Sequence, residues 1–552
     1  MKMRYFLLMF GVPLLLATAA SAQTHESITV QVIDVPVYVF SHGKPIPNLT
    51  RDNFELYVNG KRQAIDYFDP IELATAAPAP AGARSAQATT PIADPRVRRL
   101  FLLVFDLAYG RPAALARAQK AAAIMVDHAL PQDFFAVATY GSTGSNFVIP
   151  FTRDHDVIRR ALLKMAPSSA HDALALSITN AERDTAEAWD PSLDAGPGRA
   201  GSEDPMADIM AAFKPEERQR AKTGAKDQLA DLSSIAARLK DLEGYKHVIL
   251  FSEGFSSDFM TGVTNNVTNN VMTGVANNVG GPPEVDPAMS QAARALYNAF
   301  NAAGAHLHTV DLRIADPMSL GEGGRTPQAA PVYAGSGATA RPQSTQRFDP
   351  LANDILFQFA AHTGGQFIHY TNDLPGALEN LSSTVSTGYR LGFRPVDAKK
   401  GENTIDVKVK NVPSGTTVSF RKGFSTTPDV RNSGDALLLA DIIQNDIPQT
   451  GTAPIFSFTT RPFIDIIIPA RQLARERGAV TEATLMFYIF DAKGNAVEYR
   501  EKKISIPAKP SSDMAVRQKL IMPPGNYVAK ALLRIDKSIG FAKVAFLIPV
   551  ER

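Results

Sequence analysis

The chain has 552 residues, 45% of them hydrophobic and 20% charged, with a formal net charge of +2. This is ordinary globular composition, with length enough for about three or four domains. So small a charge gives no global field to draw in nucleic acid or an anionic membrane. The absence of cysteine excludes disulfides, thiol catalysis, Fe–S clusters and Cys-based zinc sites.

Lys2 and Arg4 precede an apolar run from Tyr5 to Ala19, and Ala20-Ser21-Ala22 fits the cleavage pattern of a secretory signal peptide. Residues 1–22 are therefore expected to be a signal peptide, cleaved near Ala22, that sends the chain to the periplasm, the cell envelope or the medium. Removing Lys2 and Arg4 from 57 basic residues leaves 55, facing 55 acidic ones. No later stretch is long and apolar enough to span a membrane as a helix, so no transmembrane segment is expected after the signal.

Residues 28–72 read as a small β module. Ile28 to Val32 alternates as a half-buried strand does, and Val35 to Phe40 follows. Phe54 to Val58 and Gln63 to Phe68 form a hairpin across Asn59-Gly60, because both turn residues need positive φ. Residues 73–97, rich in Ala, Pro and Thr, read as a linker.

From 98 to 388 strands alternate with helices. Leu100 to Phe105 is a continuous apolar run, the mark of a strand buried on both faces. Further strands are expected at 134–140, 147–151, 247–251, 305–311 and 366–370. Helices are expected at 112–130, 154–165, 225–242, 288–303, 350–362 and 374–387. Such alternation implies an α/β fold, a doubly wound and mainly parallel sheet covered on both faces, with one antiparallel edge from the tight second-to-third strand turn. Residues 183–222, 259–286 and 314–348 are polar, Gly/Pro-containing or repetitive, and read as surface insertions. A β segment at 389–426 is expected to pack on the N-terminal module. Residues 427–552, with strands at 463–468, 484–490, 496–505 and 527–535, read as an Ig-like β-sandwich.

Several ordered segments resemble one family. Leu49-Thr50-Arg51-Asp52-Asn53-Phe54, Val58 to Gln63, Ile65 and Phe68 resemble the N-terminal module of von Willebrand factor A-related proteins found in acidobacteria. Arg99 to Asp106 resembles the first strand of their A domain, and Gly244 to Gly254 the fourth. Tyr389 to Phe393 and Phe420 to Phe424 resemble the β segment that follows it. The resemblance covers about residues 28–426. It implies strand order 3-2-1-4-5-6 and an exported protein of the adhesion or scaffold type, with protein partners and no known reaction.

It also implies where a cation would sit. A domains often bind Mg²⁺ through Asp-x-Ser-x-Ser after the first strand, a Thr from a later loop and an Asp after the fourth. Here Asp106 holds the first position, Ala108 and Gly110 stand where the serines would be, and Glu253 replaces the last Asp. Ser168, with Ser169 and Asp172 near it, is the nearest source of a loop ligand. Mg²⁺ demands near-ideal octahedral oxygen geometry, so two lost hydroxyls leave at most a weak site at Asp106, Glu253 and Ser168. The simpler expectation is that the two carboxylates cap helices and satisfy loop amides.

His306 and His308 share one face of a strand and are read as core histidines rather than metal ligands. No G-x-S-x-G elbow, P-loop, dinucleotide fingerprint or H-E-x-x-H is present. The expectation is a binding protein with no catalytic set and no cofactor. The alternative is an envelope hydrolase using Asp106, Glu253 and His171 or His308 as acid/base groups.

Overall fold

The computed structural model describes residues 32–72, 94–141, 144–165, 205–255, 261–262, 284–313, 354–369, 371–395, 398–426, 432, 434–458, 462–473, 481–507 and 511–549. The expected signal peptide, most of the linker and most of the three insertions lie outside them. The part of the first insertion that is described, 205–222, belongs to a helix running Pro205–Leu239, not to a loop.

A six-stranded sheet occupies the middle of the chain. Its strands lie side by side as Phe367–Ile368, Ala305–Asp311, Tyr245–Ser252, Arg99–Asp106, Phe134–Gly141 and Gly144–Thr152. Numbered along the chain within this sheet, that is the expected order 3-2-1-4-5-6. Every neighbouring pair is parallel except the last. Leu100 to Phe105 are all fully buried because the strand is central and alternate side chains enter two different cores. Leu100, Leu102 and Val104 pack with helices Pro205–Leu239, Pro287–Ala303 and Ile355–Thr363. Phe101, Leu103 and Phe105 pack with Pro112–Asp127, His155–Lys164 and Leu374–Thr384 on the other side. Asp154 and Asp286 start their helices by accepting backbone amides. Gly364 ends another at φ 74°, and a Cβ there would lie 2.0 Å from the Phe420 carbonyl oxygen, so only glycine fits.

As a class for the whole chain, the expected doubly wound α/β architecture is corrected. Among the described residues the mixed sheet is one of six, and the other five are antiparallel. Strand accounts for 42% of the structure and helix for 30% among the described residues. The alternating pattern of 98–388 governed the expectation, while most of the strand lies before and after it.

The flanking β strands form a two-sheet module around one core. Ile33–Ser41 pairs with Thr387–Phe393 and Thr416–Phe420, and Tyr67–Glu72 pairs with Thr387–Phe393. Phe54–Val58 pairs with Glu402–Val409 and with Lys61–Gln63. Val35, Val37, Leu56, Leu391, Phe393 and Phe424 fill the space between. The chain thus leaves this module at 72 and returns at 387, carrying the six-stranded unit between the two halves. Asn59 at φ 49° and Gly60 at φ 77° make the expected hairpin turn. The expected strand 63–68 is broken: Gln63 ends one strand and Tyr67 begins another in the facing sheet.

In the C-terminal region, Ile455–Ser457, Phe463–Ile468 and Met514–Lys519 form one sheet. Ala496–Ile506, Thr481–Asp491, Gly525–Ile535 and Ser538–Ile548 form the other, and one apolar core joins the two. Before it, helix Ala436–Asn445 was not foreseen. It seats Leu437, Leu438, Ile442 and Ile443 on the core of the six-stranded unit. Arg98 clamps it there, donating to both oxygens of Asp441 at 2.9 and 2.6 Å with both side chains buried.

Candidate functional site

Asp106 and Glu253 sit where the sequence puts them, at the carboxyl ends of two neighbouring central strands. Asp106 is fully buried, and each of its oxygens is used twice. Oδ1 accepts the amides of Ala108 and Tyr109, each at 3.0 Å. Oδ2 accepts Ser252 Oγ at 2.5 Å and Gln228 Nε2 at 2.7 Å. Four bonds fill the lone-pair capacity of a carboxylate. Burial pushes the Asp106 carboxyl up to about 6, against the pull of those four donors. Glu253 is also buried, and its Oε1 accepts both the backbone N–H and the Nε of Arg111, at 3.2 and 2.9 Å.

The two carboxylates are therefore linked in sequence and space, Asp106 accepting the hydroxyl of Ser252, the residue before Glu253, and each is bonded to its own protein donors. Asp106 does satisfy loop amides, while neither carboxylate caps a helix through its side chain. The residue before helix Pro112–Asp127 is Arg111, which makes no side-chain cap. Ser168, Ser169, Asp172 and His171 lie outside the described residues. Among the described residues no group of three His, Asp or Glu side chains is arranged to hold a metal ion. The groups around Asp106 do not fit the Mg²⁺ centre that the resemblance implies: Ala108 and Gly110 bring no hydroxyl, and both Asp106 oxygens and Glu253 Oε1 are taken by protein donors.

Gly110 is held by more than a missing hydroxyl. Its N–H donates to the Asp106 carbonyl at 3.1 Å, and a Cβ would stand 2.6 Å from that same oxygen and 2.8 Å from Leu115 Cδ2. Its constraint is close approach, not positive φ.

Ser252, Gln228 and Arg111, which complete this rim, were not singled out from the sequence. Ser252 ends an apolar strand, a position that signals a rim residue. Gln228 gives no such signal, because it arrives on a helix 122 residues from Asp106.

His306 and His308 are buried, joined by His247 from the neighbouring strand and Tyr38 from the β module. The network fixes the tautomers. His308 Nδ1 accepts the Gln366 N–H at 3.0 Å, so its Nε2–H donates to His247 Nδ1 at 3.2 Å. His247 Nε2–H then faces Tyr38 Oη at 3.3 Å. His306 Nδ1–H donates to the Gly364 carbonyl at 2.9 Å. Burial pushes His306 down to about 4 and His308 to about 3, and holds His247 well below the usual range. With both ring nitrogens engaged, His308 has none left for a metal or a proton transfer.

No family model matches the chain, and no curated protein does. Solved structures give distant likenesses. The dimeric latent PorU of Porphyromonas gingivalis is 11% identical over 30% of this chain and 14% of its own length, with TM-score 0.14. The chicken interferon gamma receptor alpha chain is 11% identical over 32% of this chain and 77% of its own, also with TM-score 0.14. The pilus adhesin SpaC from Lactobacillus rhamnosus GG is 8% identical over 82% of this chain and 53% of its own, with TM-score 0.21. This chain spans only a small part of PorU and about half of SpaC, and at such TM-scores none of the three carries an argument about fold or function.

Proposed function

We propose that the chain is an exported binding or scaffold protein that recognises protein partners without a metal ion and without catalysis, in keeping with its resemblance to von Willebrand factor A-related proteins. One observation carries the reading. The carboxylate best placed for a cation or for acid/base work, Asp106, is fully buried and spends all its acceptor capacity on four protein donors. The second carboxylate, Glu253, is neutralised by Arg111. A hydrolase at this rim would need a carboxylate open to substrate and a histidine with a free nitrogen beside it. His308 lies inside the sheet-facing core, bonded at both nitrogens.

The test is a capture experiment paired with a turnover screen. The immobilised full chain is exposed to envelope extract with and without EDTA, and competed with soluble chain. Purified protein is assayed on generic ester, peptide and glycoside substrates. A partner displaced by soluble chain and indifferent to EDTA supports the reading. Loss of that partner in EDTA contradicts it, as does turnover that Asp106→Asn abolishes.

A further inference from the structure

A concavity lies away from the rim, where helices Pro287–Ala303 and Ile355–Thr363 face strands Glu402–Val409 and Gly423–Ser425. Its volume is about 460 Å³, within the range of small-molecule pockets, which favour such junctions between structural units. The two sides are pinned together. Asn301 accepts the Lys422 N–H through Oδ1 at 2.9 Å and donates through Nδ2 to the His362 carbonyl at 3.3 Å.

The lining carries polar groups with donor capacity left over. The Tyr297 ring stacks on His362, centroids 4.4 Å apart, yet its hydroxyl is buried with no partner among the described residues. Such a group weakens the fold unless something bonds it. Arg294 donates through Nε to the Ser290 carbonyl at 3.3 Å, and its terminal nitrogens have no carboxylate partner among the described residues. Lys422 Nζ lies 3.5 Å from the centroid of the Phe420 ring and makes no direct ion pair among the described residues, Asp406 being the acid whose charge reaches it. Against these two cations the lining offers one acid, Glu402.

We propose that this cavity binds a small organic oxyanion, a phosphate ester or carboxylate, held by Arg294 and Lys422 with the Tyr297 hydroxyl as a further donor. A guanidinium fork and an ammonium flanking one cavity match such a group in charge and in donor geometry. The site is separate from the Asp106 rim and stands whether or not the partner-binding reading does.

Calorimetry on the full chain at low salt decides it, with glucose 6-phosphate and citrate as the two anionic probes and glucose as the neutral one. Saturable binding of either anion, weakened about tenfold or more in Arg294→Gln/Lys422→Gln and measurably in Tyr297→Phe, is the expected result. Glucose should give none. Circular dichroism and thermal melts of the variants matching wild type keep a folding defect from mimicking that loss. The proposal is overturned if neither anion binds at roughly 10 mM, a limit set by millimolar affinities. Glucose binding as well as the anions, or anion binding that survives the double substitution, overturns it too.

Discussion

The Asp106 rim and the Tyr297–Lys422 cavity both gather charged and polar side chains, and they resolve that polarity in opposite ways. At the rim, Asp106 receives four hydrogen bonds from Ala108, Tyr109, Ser252 and Gln228, and Glu253 is held by Arg111. In the cavity, Arg294 and Lys422 make no direct ion pair, and the Tyr297 hydroxyl is unbonded, among the described residues. A concave arrangement of charged residues is thus not by itself a site. What distinguishes the two is whether the protein has already supplied the partners. A rim closed on itself belongs to stability, and a cavity with spare donors is open to a solute.

The largest test of that difference is acid. His306 and His308 have folded values of about 4 and 3, below the ordinary value of 6.5. Their stability is whole above the unfolded value and is lost as pH falls from 6.5 towards 4, a cost on the order of 5 kcal/mol for the pair. Asp106 has the opposite sign. Its folded value, about 6, is raised above the unfolded one, so its contribution is whole below about 4 and lost as pH rises through 6. On acidification it therefore returns about 3 kcal/mol. Urea unfolding between pH 7 and 4 should show a steeper fall for Asp106→Asn and a flatter one for His308→Gln. Identical slopes for wild type and Asp106→Asn would place Asp106 in an open, solvated rim.

Next in size is Asp106→Ala at pH 7. It strands Ser252, Gln228 and two loop amides, and should cost about 2–4 kcal/mol by denaturant unfolding. Asp106→Asn keeps the two amide bonds and, with the Gln228 side-chain amide turned over, donates to Gln228 and Ser252 where the carboxylate accepted from them. It should fall within about 1 kcal/mol of wild type. Equal losses in the two variants would mean that the charge, not the hydrogen bonds, holds the rim.

Adding back the missing hydroxyls separates geometry from chemistry. Gly110→Ser should cost about 1–3 kcal/mol, because its Cβ meets the Asp106 carbonyl and Leu115. Ala108→Ser, in the same loop, should change stability by less than about 0.5 kcal/mol. A small effect belongs to the cavity as well. Arg294→Gln/Lys422→Gln breaks no ion pair among the described residues and gives up only the Lys422–Phe420 contact, so its stability should stay within about 1 kcal/mol of wild type.

What was legible in the sequence followed from local chemistry. Leu100 to Phe105 announced a central strand, Asn59-Gly60 a hairpin, and Asp154 a helix start, because each is decided by a few neighbouring residues. The closure of the β module was harder, since Ile33–Ser41 finds its partner in Thr387–Phe393, more than three hundred residues on. Leu437 to Ile443 is a short apolar run whose helical seat against Arg98 is set by a buried pairing that no window contains. Arg99, placed at the start of a strand where charge suggests solvent, is buried by its two bonds to Asp133 at 2.8 and 2.6 Å. At the rim the sequence supplied Asp106 and Glu253 but not what they bond. Gln228 and Arg111 are ordinary surface residue types until the fold brings them in. The cavity gave no sign at all, since its lining comes from four separated segments.

The central claim is that Asp106 belongs to a closed hydrogen-bond network and not to a cation site. Titrating Mg²⁺ and Mn²⁺ into the wild-type chain by calorimetry tests it most directly, with Asp106→Ala run alongside. The account predicts no saturable heat from either ion in either protein. Saturable binding to wild type that Asp106→Ala abolishes would contradict it.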